Sequence, residues 1–244
     1  MRTRIFLKPY IREDERQSGD VIDAFDGAGM VRLLAHTADG LQLELLDPGT
    51  PLSTLAAVND AEATEVLARV ISAMKPRHVP RGVPTVADWA ASFDRHLENR
   101  GCEIPDDLVQ HARNVYLQLC ASQRNLRLLH GDLHHDNVLF DASRGWVAID
   151  PKGVVGELEY EVGAALRNPV DLPHVFTDPT AIDARIRILC ERLNLSSVRI
   201  TSWAFAQAVL AAIWMVEDGE DITAGHPWIA LAHMLRERIP GAPL

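Results

Sequence analysis

Apolar and polar positions along the chain change period several times, and each change marks an element. Near the start, Thr3 to Lys8, Met30 to His36 and Leu41 to Leu46 are apolar runs of strand length, the last two separated by the hairpin signal Ala38-Asp39-Gly40. Gly19 to Phe25, between them, predicts a short helix. Leu46-Asp-Pro-Gly-Thr-Pro51 carries two prolines and a glycine. It is expected to break regular structure and to act as the hinge between a small strand-rich part, residues 1–46, and a larger helical part, residues 47–244.

Beyond the hinge the apolar spacing turns helical. Asn59 to Met74 places Val66, Leu67, Val70, Ile71 and Met74 on one face behind an Asn59 or Asp60 cap. Thr85 to Asn99 does the same with Trp89, Phe93 and Leu97, a line that reads as core, and Gly101 closes it. Pro105 to Ser122 opens on proline with Asp106 and Asp107 in its first turn, where the helix dipole favours carboxylates, and carries Leu108, Ala112, Val115 and Leu119. Further helices are expected at Glu159 to Arg167, Pro179 to Asn194 and His226 to Ile239. Ser197 to Val216 is apolar almost all round and is expected at the centre of the core.

One stretch fits neither period. Leu128 to Lys152 opens on an apolar run, breaks at Gly131, and packs Asp132, His134, His135, Asp136 and Asn137 before a second apolar run, Val138-Leu-Phe140. Asp141 to Gly145 has turn chemistry and Trp146 to Ile149 is again strand-like, so Val138 to Ile149 predicts a β-hairpin that returns Asp150 towards Asn137. An aspartate, an asparagine five positions later and a second aspartate beyond a hairpin follow the order in which protein kinases place their catalytic base and two magnesium ligands. The chemistry requires those types. Mg²⁺ takes hard oxygen ligands and keeps several waters, so Asn137 and Asp150 suffice to hold it, while the separate carboxylate of Asp132 accepts the proton of an attacking hydroxyl. The rival reading, a zinc site at His130 and His134, needs a helix that Gly131 interrupts and a third ligand that no pattern supplies.

His130-Gly-Asp-Leu-His-His-Asp-Asn137 followed by Ile149-Asp-Pro-Lys152 resembles the aminoglycoside phosphotransferase family, and Gly153 to Gly163 with Leu166-Arg-Asn-Pro169 resembles its streptomycin 6-kinase and hydroxyurea resistance branch. The resemblance implies an α+β, protein-kinase-like fold and an ATP- and Mg²⁺-dependent phosphotransferase acting on a hydroxyl of a small, cationic, streptomycin-like molecule. It implies that Lys8 reaches the donor phosphates, positioned by Glu15 or Asp20, and that backbone groups from Glu44 to Leu46 meet adenine. His130 and His134 are expected to brace the loop. Glu157 and Glu161 are the expected contacts to a guanidinium-bearing substrate, through paired charge-assisted hydrogen bonds. The cluster Glu217, Asp218, Glu220 and Asp221 reads as solvated, and Gly153 and Gly156 as backbone left free to approach a ligand.

The chain departs from the family in one respect: only seven residues precede Lys8, and no G-x-G-x-x-G appears. The expectation is a start downstream of the true one; the alternative is a nucleotide- or ligand-binding module with little or no turnover. Composition adds two constraints. A net charge of −10 disfavours nucleic acid and anionic membranes as partners and suits a cationic small molecule. No signal sequence or uninterrupted membrane span is read, and three widely spaced cysteines suit a reducing, cytoplasmic setting better than a disulfide frame.

Overall fold

The computed structural model describes residues 4–10, 15–99 and 104–239, the side chains of residues 15 and 16 excepted. The first part is a three-stranded antiparallel sheet in the order β1-β3-β2, formed by β1 (Ile5–Pro9), β2 (Leu33–His36) and β3 (Gly40–Glu44), with α1 (Glu15–Phe25) beside it. Lys8 faces Leu41 in the β1–β3 register, and Leu41 is also paired with His36 of β2. Val21, Ile22, Ala24 and Phe25 of α1 are buried, so the helix rather than the short sheet carries most of this part's core.

The proline-rich segment after Leu46 is not irregular. Pro48–Pro51 forms β4, an edge strand on β6 (Val138–Asp141), which pairs in turn with β7 (Gly145–Ala148). An edge strand bonds on one side only, so it tolerates residues lacking an N–H. The predicted hairpin Val138 to Ile149 is present, with Phe140 opposite Trp146.

The helical part contains α2 (Ser53–Ala56), α3 (Asp60–Ala73), α4 (Ala91–Glu98), α5 (Asp106–Ala121), α6 (Leu158–Leu166), α7 (His174–Thr177), α8 (Pro179–Leu193), α9 (Ser197–Glu217) and α10 (Pro227–Arg236). Local chemistry sets their ends. Asn59 accepts the Glu62 N–H at 3.2 Å, and Asp178 accepts those of Thr180 and Ala181 at 2.8 and 2.9 Å with Pro179 following. Gly101 lies outside the described residues, as does Cys102.

Helix α9 is the spine: α5, α6 and α10 pack around it, and Trp203, Phe205, Val209 and Ile213 are sealed from solvent. Its 21 residues include an 18-residue window apolar enough for a membrane span, yet 78% of that window is buried inside the protein. A helix enclosed on all sides has no polar face to keep.

Two strands that the apolar pattern understates hold the loop of interest. β5 (Arg127–Leu129) pairs antiparallel with β8 (Val154–Gly156), bracketing residues 130–153 between fixed ends.

Candidate active site

Between the paired strands, the loop is organised from beneath by one buried carboxylate. Glu161, on α6, is 2% exposed and accepts the backbone N–H groups of His130 at 2.7 Å and Gly131 at 3.1 Å. Burial pushes its carboxyl up to about 7 even though those hydrogen bonds pull the other way. Gly131 has φ +83°, and a Cβ there would sit 3.0 Å from Val154 and 3.3 Å from Trp89. Both the backbone sign and the space call for glycine.

His130, fully buried, bonds the Ile149 carbonyl through Nε2 at 2.7 Å and takes the Asp132 N–H on Nδ1 at 3.3 Å. Burial lowers its pKa to about 4, so it stays neutral with the proton on Nε2. His134 takes the Asp136 N–H on Nδ1 at 3.3 Å and meets the Asn137 side-chain nitrogen through Nε2 at 3.1 Å. Both histidines therefore brace the loop, and their ring nitrogens are spent on it. Among the described residues, no group of three or more His, Cys, Asp or Glu is arranged to hold a metal ion.

The loop presents three oxygen-bearing side chains to one cleft of about 740 Å³, which Asp132, Asn137, Asp150 and Lys8 all line. Asn137 donates its side-chain N–H to the Asp132 carbonyl at 2.9 Å, which fixes the amide's rotation and turns its oxygen the other way. Its own carbonyl takes the Ile149 N–H at 2.9 Å, tying the end of β7, and so Asp150, to the loop. Asp150 sits at φ +55°, a left-handed conformation that few residues other than glycine, asparagine and aspartate adopt readily. An amide oxygen and a carboxylate on one cleft fit a hard divalent cation completed by water and phosphate oxygens, and fit zinc poorly.

Lys8 reaches across from β1 to form an ion pair with the Asp150 carboxylate. The helix carboxylate expected to position it is not in evidence: Asp20 lies 3.7 Å from His36 instead, and the Glu15 side chain is outside the described residues.

Asp132 is held from two sides, by Lys152 at 3.1 Å and Arg167 at 3.1 Å. Burial raises its pKa, but the two cations outweigh that and hold the carboxyl well below its usual range. Arg167 is 7% exposed at its side chain, bonded to Gln207 at 3.4 Å and set 5.8 Å from the Trp228 ring, whereas the Lys152 side chain is half exposed.

Several expected contacts lie elsewhere. Glu157 is 2% exposed and accepts hydrogen bonds from Arg199, from Trp203 at 2.6 Å and from the Arg124 backbone at 3.2 Å; it pins α9 to the start of α6. Glu161 is equally enclosed, so neither glutamate meets the cleft. Glu44 spends its carboxylate on Arg32 and Arg144 and its N–H on the Arg32 carbonyl, and Leu46 is buried; neither lines the cleft. The space beside Gly156 is filled by Val86, so that glycine admits protein rather than ligand; a Cβ on Gly153 would meet Val21, while the residue itself lines the cleft.

In their place the far wall of the cleft carries Trp89, Trp214, Asp88, Glu217 and Asp218. Trp89 and Trp214 meet edge to face at 5.4 Å, and Trp214 donates to Ser92 at 3.0 Å. The helical spacing that assigned Trp89 to the core gave no sign of this, because a residue at the rim of a core face has the same period as one beneath it. Glu217 bonds Arg95 at 2.9 Å, while Asp218 forms no ion pair among the described residues.

The family model for the aminoglycoside/hydroxyurea antibiotic resistance kinases matches residues 6–219. The chain belongs to that family. It is 30% identical to a streptomycin 3''-kinase of Klebsiella pneumoniae, over 84% of this chain and 77% of the relative, and 30% identical to a streptomycin 6-kinase of Streptomyces glaucescens, over 89% and 72%. A crystal structure of a thermostable mutant of the aminoglycoside phosphotransferase APH(4)-Ia, in ternary complex with AMP-PNP and hygromycin B, superposes with a TM-score of 0.64 at 15% identity, covering 92% of this chain and 83% of that one. The fold is thus protein-kinase-like, with a small sheet part and a helical part, and the enzyme class is a phosphotransferase with an alcohol group as acceptor.

Proposed function

We propose that this kinase transfers the terminal phosphoryl group of ATP to a hydroxyl of a small cationic molecule of the streptomycin type. The observation that carries this reading is the convergence of Asp132, Asn137, Asp150 and Lys8 on one cleft. Asn137 and Asp150 are the pair that would hold Mg²⁺, which when bound neutralises the donor phosphates. Lys8, paired with Asp150 on the same cleft, would be the residue to meet a donor phosphate if Asp150 held the metal.

Asp132 receives the acceptor hydroxyl. Flanked by two cations it is a weak base, so it works chiefly by orienting the hydroxyl and takes the proton late, as the new bond forms. That suits phosphoryl transfer, in which positioning and charge neutralisation outweigh early proton removal.

The cationic acceptor is supported by the far wall. Five carboxylates (Asp88, Asp132, Asp150, Glu217, Asp218) face three cations (Lys8, Arg95, Lys152) around the cleft, and of its two indole rings that of Trp214 already lies 5.4 Å from an ammonium, that of Lys152. The test is direct: incubate the protein with γ-labelled ATP, Mg²⁺ and streptomycin, and follow label into the acceptor. Labelled streptomycin that requires Mg²⁺ is expected. Transfer to neutral sugars in preference to any cationic acceptor would refute the assignment of the far wall.

A further inference from the structure

We infer that Lys152 is a catalytic residue that neutralises charge on the phosphoryl group during transfer, an assignment that rests on the phosphotransfer reading above. Two cations stand 3.1 Å from the Asp132 carboxylate, and they differ in standing. Arg167 is enclosed, tethered to Gln207, and its backbone carbonyl is held by the Trp228 indole N–H at 2.8 Å. It supports Asp132 from beneath and has no route to the cleft. Lys152 is half exposed on the cleft wall, and its other neighbour is the Trp214 ring, with the ammonium 5.4 Å from the centroid.

Lys152 and Arg167 both stand on the one Asp132 carboxylate. Two positive charges on a carboxylate make it a poorer proton acceptor than one would, which by itself works against the reaction. The cost is offset if the ammonium acts on something else in the same place. Of the other cleft cations, Arg95 is committed to Glu217 through two hydrogen bonds of 2.9 and 3.2 Å, and Lys8 stands on the Asp150 side, where it is assigned to the donor phosphates. Lys152 follows Asp150 by two residues and contacts Asp132, so it lies between the metal side and the acceptor side of the cleft.

In the transfer, the bond from the γ-phosphorus to the bridging oxygen breaks as the bond to the acceptor oxygen forms. ADP departs with the bridging electrons, and the acceptor proton passes to Asp132. In the loose transition state charge is spread over the three equatorial oxygens, and a flexible ammonium with three donors can hold Asp132 and one of those oxygens together.

The experiment compares Lys152→Met, Lys152→Arg and Asp132→Asn with wild type. Steady-state kinetics with Mg·ATP and streptomycin are joined by γ-phosphoryl transfer to water, which needs no acceptor, and by calorimetric binding of Mg·ADP with and without aluminium fluoride. Expected for Lys152→Met is a fall in kcat of roughly 10²- to 10³-fold with both KM values within about threefold of wild type. Lys152→Arg should recover part of the loss, and the affinity gained on adding aluminium fluoride should vanish in Lys152→Met while Mg·ADP binding stays. A Lys152→Met enzyme with wild-type kcat beside an inactive Asp132→Asn enzyme would overturn the role of Lys152 and leave the phosphotransfer reading intact. A wild-type protein that moves phosphate neither to streptomycin nor to water would overturn both.

Discussion

Replacing Glu161 with glutamine tests how the loop is supported, because the carboxylate beneath it is caught between burial and hydrogen bonding. Its pKa is pushed from the ordinary 4.5 to about 7, burial outweighing the N–H groups of His130 and Gly131. A raised folded-state pKa means that the folded protein keeps a proton the unfolded chain has released. The stabilisation is complete below 4.5 and is lost as pH rises through about 7. At roughly 1.36 kcal/mol per pH unit, that gap is worth about 3 kcal/mol. Glutamine keeps the shape and one acceptor oxygen and does not titrate. The stability of Glu161→Gln minus that of wild type should therefore grow by about 3 kcal/mol between pH 4.5 and 7.5, whatever its value at the acid end. Contributions from the buried histidines run the other way: His130, held down to about 4, loses its contribution as pH falls from 6.5. They are common to both proteins and cancel in the difference. Urea denaturation at half-unit pH intervals, extrapolated linearly, gives the comparison. A difference that stays flat, or moves against glutamine as pH rises, would show that the N–H groups outweigh burial and that Glu161 is a charged anchor.

Arg199→Met leaves Glu157 enclosed without its cation and should cost roughly 3–5 kcal/mol by denaturation, with Arg199→Met/Glu157→Gln recovering part; a loss under about 1 kcal/mol would refute the buried-pair reading. Gly131→Ala, at φ +83° and crowded by Val154, should lose more than about 1 kcal/mol of stability, and an unchanged melting temperature would contradict it. Asp218→Asn, at an exposed position on the cleft wall, should raise KM for streptomycin about threefold to tenfold with kcat little altered, and a changed KM for ATP alone would place the acceptor elsewhere.

What the sequence made legible was local. The loop from His130 to Asn137 and the hairpin that returns Asp150 announce themselves through turn chemistry and strand-like runs on either side, and their convergence on one cleft follows from that geometry. Helices with a clear apolar stripe, such as α3 and α5, are placed to within a few residues. The cations that flank Asp132 were not legible in the same way. Arg167 and Lys152 stand in stretches whose pattern was evident, yet nothing in spacing says that both end on Asp132. Glu157 and Glu161 were misplaced for the same reason: acidic residues after a metal ligand look like a surface, and only the packing of α9 behind α6 shows that they are enclosed. Conversely, Glu217 and Asp218 end a long apolar helix and look solvated until that helix is seen to deliver them to the cleft wall. The prolines of β4 misled because an edge strand relaxes the rule that bars them from sheets.

The central claim is a division of labour in which Asp150 and Asn137 serve the metal–nucleotide complex and Asp132 serves the acceptor. Calorimetric titration of Mg·AMP-PNP into wild type, Asp150→Asn and Asp132→Asn, paired with turnover of the same samples, tests it most directly. The account predicts that Asp150→Asn loses the magnesium-dependent part of nucleotide affinity, while Asp132→Asn binds as wild type does and turns over roughly 10²-fold more slowly or worse. Two variants that bind alike and turn over alike would contradict it.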